Sequence, residues 1–169
     1  MGSAQISTTP YTLRTHRPGD IGWITHRHGV LYNKEYGWDE RFEALVAGIA
    51  GDFIKNYDPQ RERCWIAERD GEFIGCIMLV NDASKKDAAK IRLLLVEPSA
   101  RGLGLGRALV RQCTQFAREA GYSRVGLWTQ SQLVSARHIY GGEGFVHVAS
   151  EEHDSFGIKM VGELWELQL

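Results

Sequence analysis

The stretch PSARGLGLGRALVRQC, Pro98–Cys113, sets glycines at 102, 104 and 106 between a hydrophobic run and a helical-looking segment. Glycine loses more backbone freedom on folding than any other residue, so three alternating glycines need a physical reason. Upstream, AKIRLLLVEP is rich in Leu and Ile, as a central strand buried on both faces would be. Downstream of Leu105, Ala108, Leu109, Cys113, Phe116 and Ala120 keep a helical period, and Gly121 is a stop. Strand, glycine turn and helix make an anion site: the first N–H groups of a helix lack intrahelical acceptors, and its dipole adds positive charge there. Arg101 and Arg107 supply further donors.

Two familiar phosphate motifs fail against these letters. A Walker loop needs Lys and Ser/Thr after its last glycine, where this chain has Arg107 and Ala108. A dinucleotide fingerprint starting at Gly102 needs glycine at 107.

Working outward, YTLRTH (Tyr11–His16) reads as a first strand, and Ile21, Ile24 and Leu31 mark a helix. LYNKEYGW (Leu31–Trp38) reads as an aromatic-rich connection, after which Asp39 caps a helix bearing Phe42, Leu45, Val46, Ile49 and Phe53. ERCWIAERDGEFIGCIMLVN is a hairpin about Asp70-Gly71, and ASKKDAAK a solvated turn. RVGLWT is a strand, LVSARHIYGGEGF a short helix ending at its glycines, and Phe145–Ala149 and Val161–Leu169 the final strands. The order β-α-α-β-β-β-α-β-α-β-β specifies one α/β domain with a mixed sheet.

The 169 residues suit a single domain, with residues 1–9 read as a flexible leader or expression remnant and 10–169 as the domain. A net charge of −1 gives no global reason to bind nucleic acid, and no apolar run approaches the ~20 residues that span a bilayer. Pairing Arg69 with Glu72 puts Cys64 opposite Ile77 and Cys76 opposite Trp65, on opposite faces, so no disulfide is expected and a reducing, cytoplasmic setting fits. His26 and His28 are two apart, a spacing that aligns no metal ligands on a helix, and read as surface residues.

LLLVEPSARGLGLGRALV followed by SARHIYGGEGF pairs an Arg-x-x-Gly-x-Gly loop with Ala-x-x-x-Tyr and a Gly-Phe. The combination resembles the GCN5-related N-acetyltransferases over essentially the whole chain. It is also similar to the acetyltransferase half of proteins fused to MarR-type regulators, although no winged-helix segment is read here. The resemblance implies a mostly antiparallel mixed sheet flanked by helices, with two parallel strands splayed at the cofactor. It implies acetyl-CoA as co-substrate, no metal, and allows a homodimer. Its pyrophosphate would lie on the N–H groups of Arg101, Gly102, Leu103, Gly104, Leu105, Gly106 and Arg107, and its pantetheine arm along Leu94, Leu95 and Val96.

By the same resemblance Tyr140 gives a proton to the leaving thiolate; a phenol is protonated at neutral pH. The strand glutamate that many members use as a base is missing, with Arg92 in KIRLLLV, so Glu35 is the first substitute and Glu68 and His153 follow. Tyr32, Tyr36, Trp38 and Phe156 line an acceptor pocket between LYNKEYGWDE and EEHDSFGI, with Glu35 or Asp39 meeting an ammonium. The expected activity is N-acetylation of a primary amine, a small metabolite rather than protein lysine, by direct attack. The buried Cys113 is not the nucleophile. The competing readings are a CoA sensor without turnover and transfer of another acyl group.

Overall fold

Asp70 and Gly71 both adopt positive φ, 54° and 78°, the primed turn that matches the twist of a hairpin. They join β2 (Arg63–Arg69) to β3 (Glu72–Asn81), and β3 pairs antiparallel with β4 (Ala88–Val96). The computed structural model describes residues 10–169, so the expected leader lies outside the described residues. The remaining elements are β1 (Thr12–Thr15), α1 (Asp20–Tyr36), α2 (Glu40–Lys55), α3 (Leu105–Glu119), β5 (Arg124–Gln130), α4 (Val134–Gly142), β6 (Val146–His153) and β7 (Met160–Gln168). One sheet of seven strands runs in the order β1-β2-β3-β4-β5-β7-β6. Its β4–β5 pair alone is parallel, as the expected mixed, mostly antiparallel sheet requires.

Each helix buries one stripe. Ile24, His28 and Leu31 on α1 and Val46, Ala50 and Phe53 on α2 recur at helical spacing. Asp39 caps α2 as expected, its carboxylate accepting from the Arg41 N–H. With Cys64, Ile66, Cys76, Met78 and Leu95, the α1 and α2 side chains make one core. On the opposite face Leu105, Leu109, Val110, Cys113 and Phe116 of α3 close over Trp65, Ile77, Leu79, Ile91 and Val125. Each fully buried Leu there contributes roughly 1.5–3 kcal/mol.

Three expectations are corrected. Leu31–Trp38 is not a connection up to Tyr36: α1 continues, because Leu31 extends the Ile24–His28 stripe, and Gly37 stops it in the left-handed region. His28 is no surface residue but is 2% exposed on that stripe. Cys64 and Cys76 share the α1/α2 face, because a bulge between Ala67 and Glu68 shifts the register to Cys64↔Met78 and Cys76↔Ile66. Both remain free thiols, as does buried Cys113.

The three glycines of the loop have separate causes. Gly102 and Gly104 adopt φ of 82° and 72° in open space, so backbone conformation selects them. Gly106 lies inside α3, where an added Cβ would sit 2.7 Å from Ile139 Cδ1 of α4. Packing between the helices thus selects Gly106, the third of the glycines.

Gly106→Val should therefore destabilise the fold by about 1–3 kcal/mol, the usual cost of overpacking. An Ile139→Ala background should relieve most of that loss in urea titrations. Burial pushes the His28 imidazole down to about 4. An unfolded histidine titrates near ~6.5, so the unfolded chain gains a proton that the folded one refuses as pH falls from about 6.5 to about 4. His28→Phe should flatten the acid loss of stability across that window by roughly 1 kcal/mol per pH unit, with no pH-dependent difference above it.

Candidate active site

Parallel strands β4 and β5 pair only from Ala88↔Arg124 to Ile91↔Leu127. Beyond Ile91, β4 bulges: Cys76 and Met78 of β3 face Leu95 and Arg92, so Leu93 and Leu94 together oppose Ile77. Leu93 carries the strain with φ of 54°, and the Cys76 thiol donates to its carbonyl at 3.2 Å. Leu94–Val96 thus keep β3 on one side and no strand on the other. The gap between the strands opens into a cleft of about 920 Å³.

The Pro98–Ala100 3-10 turn then leads into α3. The Arg101 N–H is already bonded to Pro98 O, whereas those of Gly102 to Arg107 have no backbone acceptor. Of these residues Gly102, Gly104, Leu105, Gly106 and Arg107 line the cleft at the positive end of α3. Arg107 sits 3.4 Å from Glu143. Helix α1 lies across this loop and is tied to it twice. Arg27 bonds both oxygens of Glu97 at 2.5 and 2.8 Å, and Arg101 donates to Glu35 at 2.5 Å.

Most of the expected residues meet in this one cleft. Leu94, Leu95, Val96, Arg101, Gly102, Gly104, Leu105, Gly106 and Arg107 line it with Tyr140, Glu35, Tyr32, Tyr36, Trp38 and Phe156. Leu103 does not line it, since its side chain packs on the α3 core. Tyr140 is 5% exposed and burial pushes its phenol well above the ordinary value. Its hydroxyl has no hydrogen-bond partner among the described residues. Tyr32, likewise raised by burial, reaches Leu94 O at 3.4 Å.

The aromatic wall is continuous. Tyr32, Tyr36, Trp38, Phe42 and Phe156 stand with ring centroids 4.8–5.6 Å apart, and Trp38 and Phe156 are packed into a small core. Of the stretch EEHDSFGI, Glu151–His153 belong to β6 and Phe156 reaches the cleft.

Other candidates stand elsewhere. Asp39 is committed to the α2 cap and to Arg41, so it is no ammonium site. Glu68 pairs with Arg14 away from the cleft. His153 lies in an adjoining hollow, with its Nε2 2.7 Å from Gln130 Oε1.

Sequence reasoning missed three cleft residues. His28 shares its Nδ1 proton with Ile24 O and leaves Nε2 buried without a partner. Trp128 spreads over Gly162, where a Cβ would fall 1.9 Å from its ring, and remains 44% exposed at the cleft mouth. Arg92 also lines the cleft, at the place in KIRLLLV where the sequence signals only a missing glutamate. The alternation of β4 could have placed it, since its partner Met78 faces α1 and α2.

Human N-acetyltransferase 8 is 33% identical over 113 residues, 64% of this chain and 49% of that protein. The N-acetylaspartate synthetase of Xenopus tropicalis is 30% identical over 112 residues, 66% of this chain and 41% of the relative. The chain spans about half the length of the first curated relatives it matches. Among solved structures, the Salmonella typhimurium protein YncA with its cofactor acetyl-CoA superposes with a TM-score of 0.74 at 18% identity, covering 95% of this chain and 94% of that one. The model of the acetyltransferase (GNAT) family matches residues 26–145, from α1 to the end of the α4 segment, and the chain belongs to that family.

Proposed function

We propose that this chain is an acetyl-CoA-dependent N-acetyltransferase that moves an acetyl group to a small primary amine by direct attack within a ternary complex. The observation that carries the reading is the edge of Leu94–Val96, which no strand covers, followed in the same cleft by the N–H groups of Gly102–Arg107, which have no backbone acceptor. An extended amide-bearing arm adds to such an edge as a further strand would, and a pyrophosphate suits the N–H groups at the start of α3. YncA, of the same fold, carries acetyl-CoA.

Acetyl-CoA supplies the activated acyl group; the residues of the chain manage protons. Tyr140 gives its proton to the departing sulfur. Glu35, the carboxylate of the cleft lining, takes the proton from the attacking amine, directly or through water. Arg101 holds Glu35 in this structure, and a pyrophosphate competes for the same guanidinium. Cofactor binding thereby frees Glu35 for the acceptor. The enclosed aromatic wall favours a small acceptor over a lysine within a protein.

Tyr140→Phe keeps the ring and removes the proton. Single-turnover acetyl transfer should fall by roughly 10²–10⁴ with acetyl-CoA affinity unchanged by calorimetry. Because burial raises the Tyr140 phenol, the wild-type rate should show no basic limb from it below about pH 10. A wild type that binds acetyl-CoA but releases thiol with no amine would make this domain a sensor. Glu35→Gln should lower kcat/KM for the acceptor by roughly 10²–10⁴, the usual contribution of a positioned base. An undiminished kcat/KM assigns the proton to another acceptor.

A further inference from the structure

The charged side chains along the cleft are Glu35, Arg92, Arg101 and Arg107. Arg101 is paired with Glu35 and Arg107 with Glu143. Arg92 alone among them has neither a hydrogen bond nor an ion pair among the described residues. Asp82 acts on it only from a distance, and that carboxylate already accepts from Ser84 and lies 3.5 Å from Lys90. Partial burial pushes the Arg92 guanidinium below its ordinary value, although no Arg92 nitrogen is sealed from solvent. A half-buried cation with its donors open to the cleft is placed to pair with an anion that enters it.

Its position separates it from the phosphate loop. Arg92 faces Met78 across the ladder, which puts it on the α1/α2 side of the sheet, whereas α3 covers the other side. About 13 Å of strand, at ~3.3 Å per residue, lies between Arg92 and Val96, and the loop begins beyond that. The guanidinium therefore stands past the splay, at the end from which an acceptor comes. Leu45 and Ile49 of α2 and the half-exposed Trp128 of β5 border the same end, so the surroundings are apolar.

We propose that Arg92 binds a carboxylate on the acceptor, so that the amine acetylated here belongs to a free amino acid with an apolar or aromatic side chain. The proposal rests on the acetyl-transfer reading of the cleft. A planar guanidinium pairs with a carboxylate through two parallel hydrogen bonds, which fixes the orientation of the molecule as well as its place. A polycationic acceptor fits poorly: the cleft lining offers it one carboxylate, already paired, and three arginines. A lysine side chain within a protein has no carboxylate beside its amine to offer Arg92.

The test uses matched acceptors: phenylalanine, phenylalanine amide and phenethylamine, then leucine and isopentylamine. Wild type should favour each acid over its uncharged partner by about ten- to hundredfold in kcat/KM. Arg92→Gln should erase that preference mainly through KM, costing each acid about ten- to hundredfold more than its uncharged partner, and keep acetyl-CoA affinity. Arg92→Lys should restore part of it. A wild type that turns over amine and acid equally, or an Arg92→Gln variant that loses both in parallel, overturns the proposal. Calorimetric titration of N-acetylphenylalanine into the protein with CoA gives a readout independent of turnover. If that ligand binds wild type but not Arg92→Gln while no acceptor reacts, the carboxylate site stands and the acetyl-transfer reading falls. If it binds both variants alike, or neither, Arg92 is no carboxylate site.

Discussion

Everything at the cleft depends on how β4 divides its hydrogen bonds. For three residues, Ala89–Ile91, the strand is zipped on both sides, to β3 and to β5. At Leu93 the backbone turns left-handed, one extra residue enters the ladder with β3, and contact with β5 is lost. A left-handed leucine costs roughly 1–2 kcal/mol, and the Cys76 thiol and the surrounding core hold it in place. The strain is localised where two strands must part. With a regular ladder there, the register Ile91↔Leu127 would carry the pairing on to Leu94 opposite Gln130, the last residue of β5, and close the start of the free edge.

Helix α1 completes the cleft from above. Arg27–Glu97 and Arg101–Glu35 fasten it to the segment that follows β4. The first pair is the more buried and has two hydrogen bonds; the second is half exposed at its arginine and correspondingly weak. One end of the attachment is thus firm and the other exchangeable. Exchange is what the proposed pyrophosphate site requires of this loop.

Much of this architecture was legible in the letters, because the signals were local. The Asp70-Gly71 turn, the Asp39 cap, the period of α3 and the loop glycines each follow from residues a few positions apart. The element order and the splayed parallel pair followed from these and from the family resemblance. What escaped was set by distant neighbours. The face on which Cys64 and Cys76 lie depends on a bulge that no local letter announces. Gly106 answers to Ile139, over thirty positions away in the chain. His28 looked polar and therefore exposed, yet its Nδ1 finds Ile24 O within the helix and its ring stacks on Tyr32. Nothing local to Arg92 shows that its strand position delivers a cation to the cleft, because α1, α2 and β5, which form the rest of that lining, lie far away in the chain.

The edge of β4 also bears on how such a protein diverges. A contact made through the main chain is indifferent to the side chains beside it, so Leu94, Leu95 and Val96 can drift provided their backbone stays put. Selection on the donor is then confined to positions that shape the chain itself: the left-handed Leu93, Gly102 and Gly104, and the small residue that α4 demands at 106. The proposed acceptor end is lined by side chains on α1, α2 and β5, which carry no such burden. One donor can be inherited unchanged while the acceptor is exchanged. In evolutionary terms, the fold separates what it must remember from what it is free to learn.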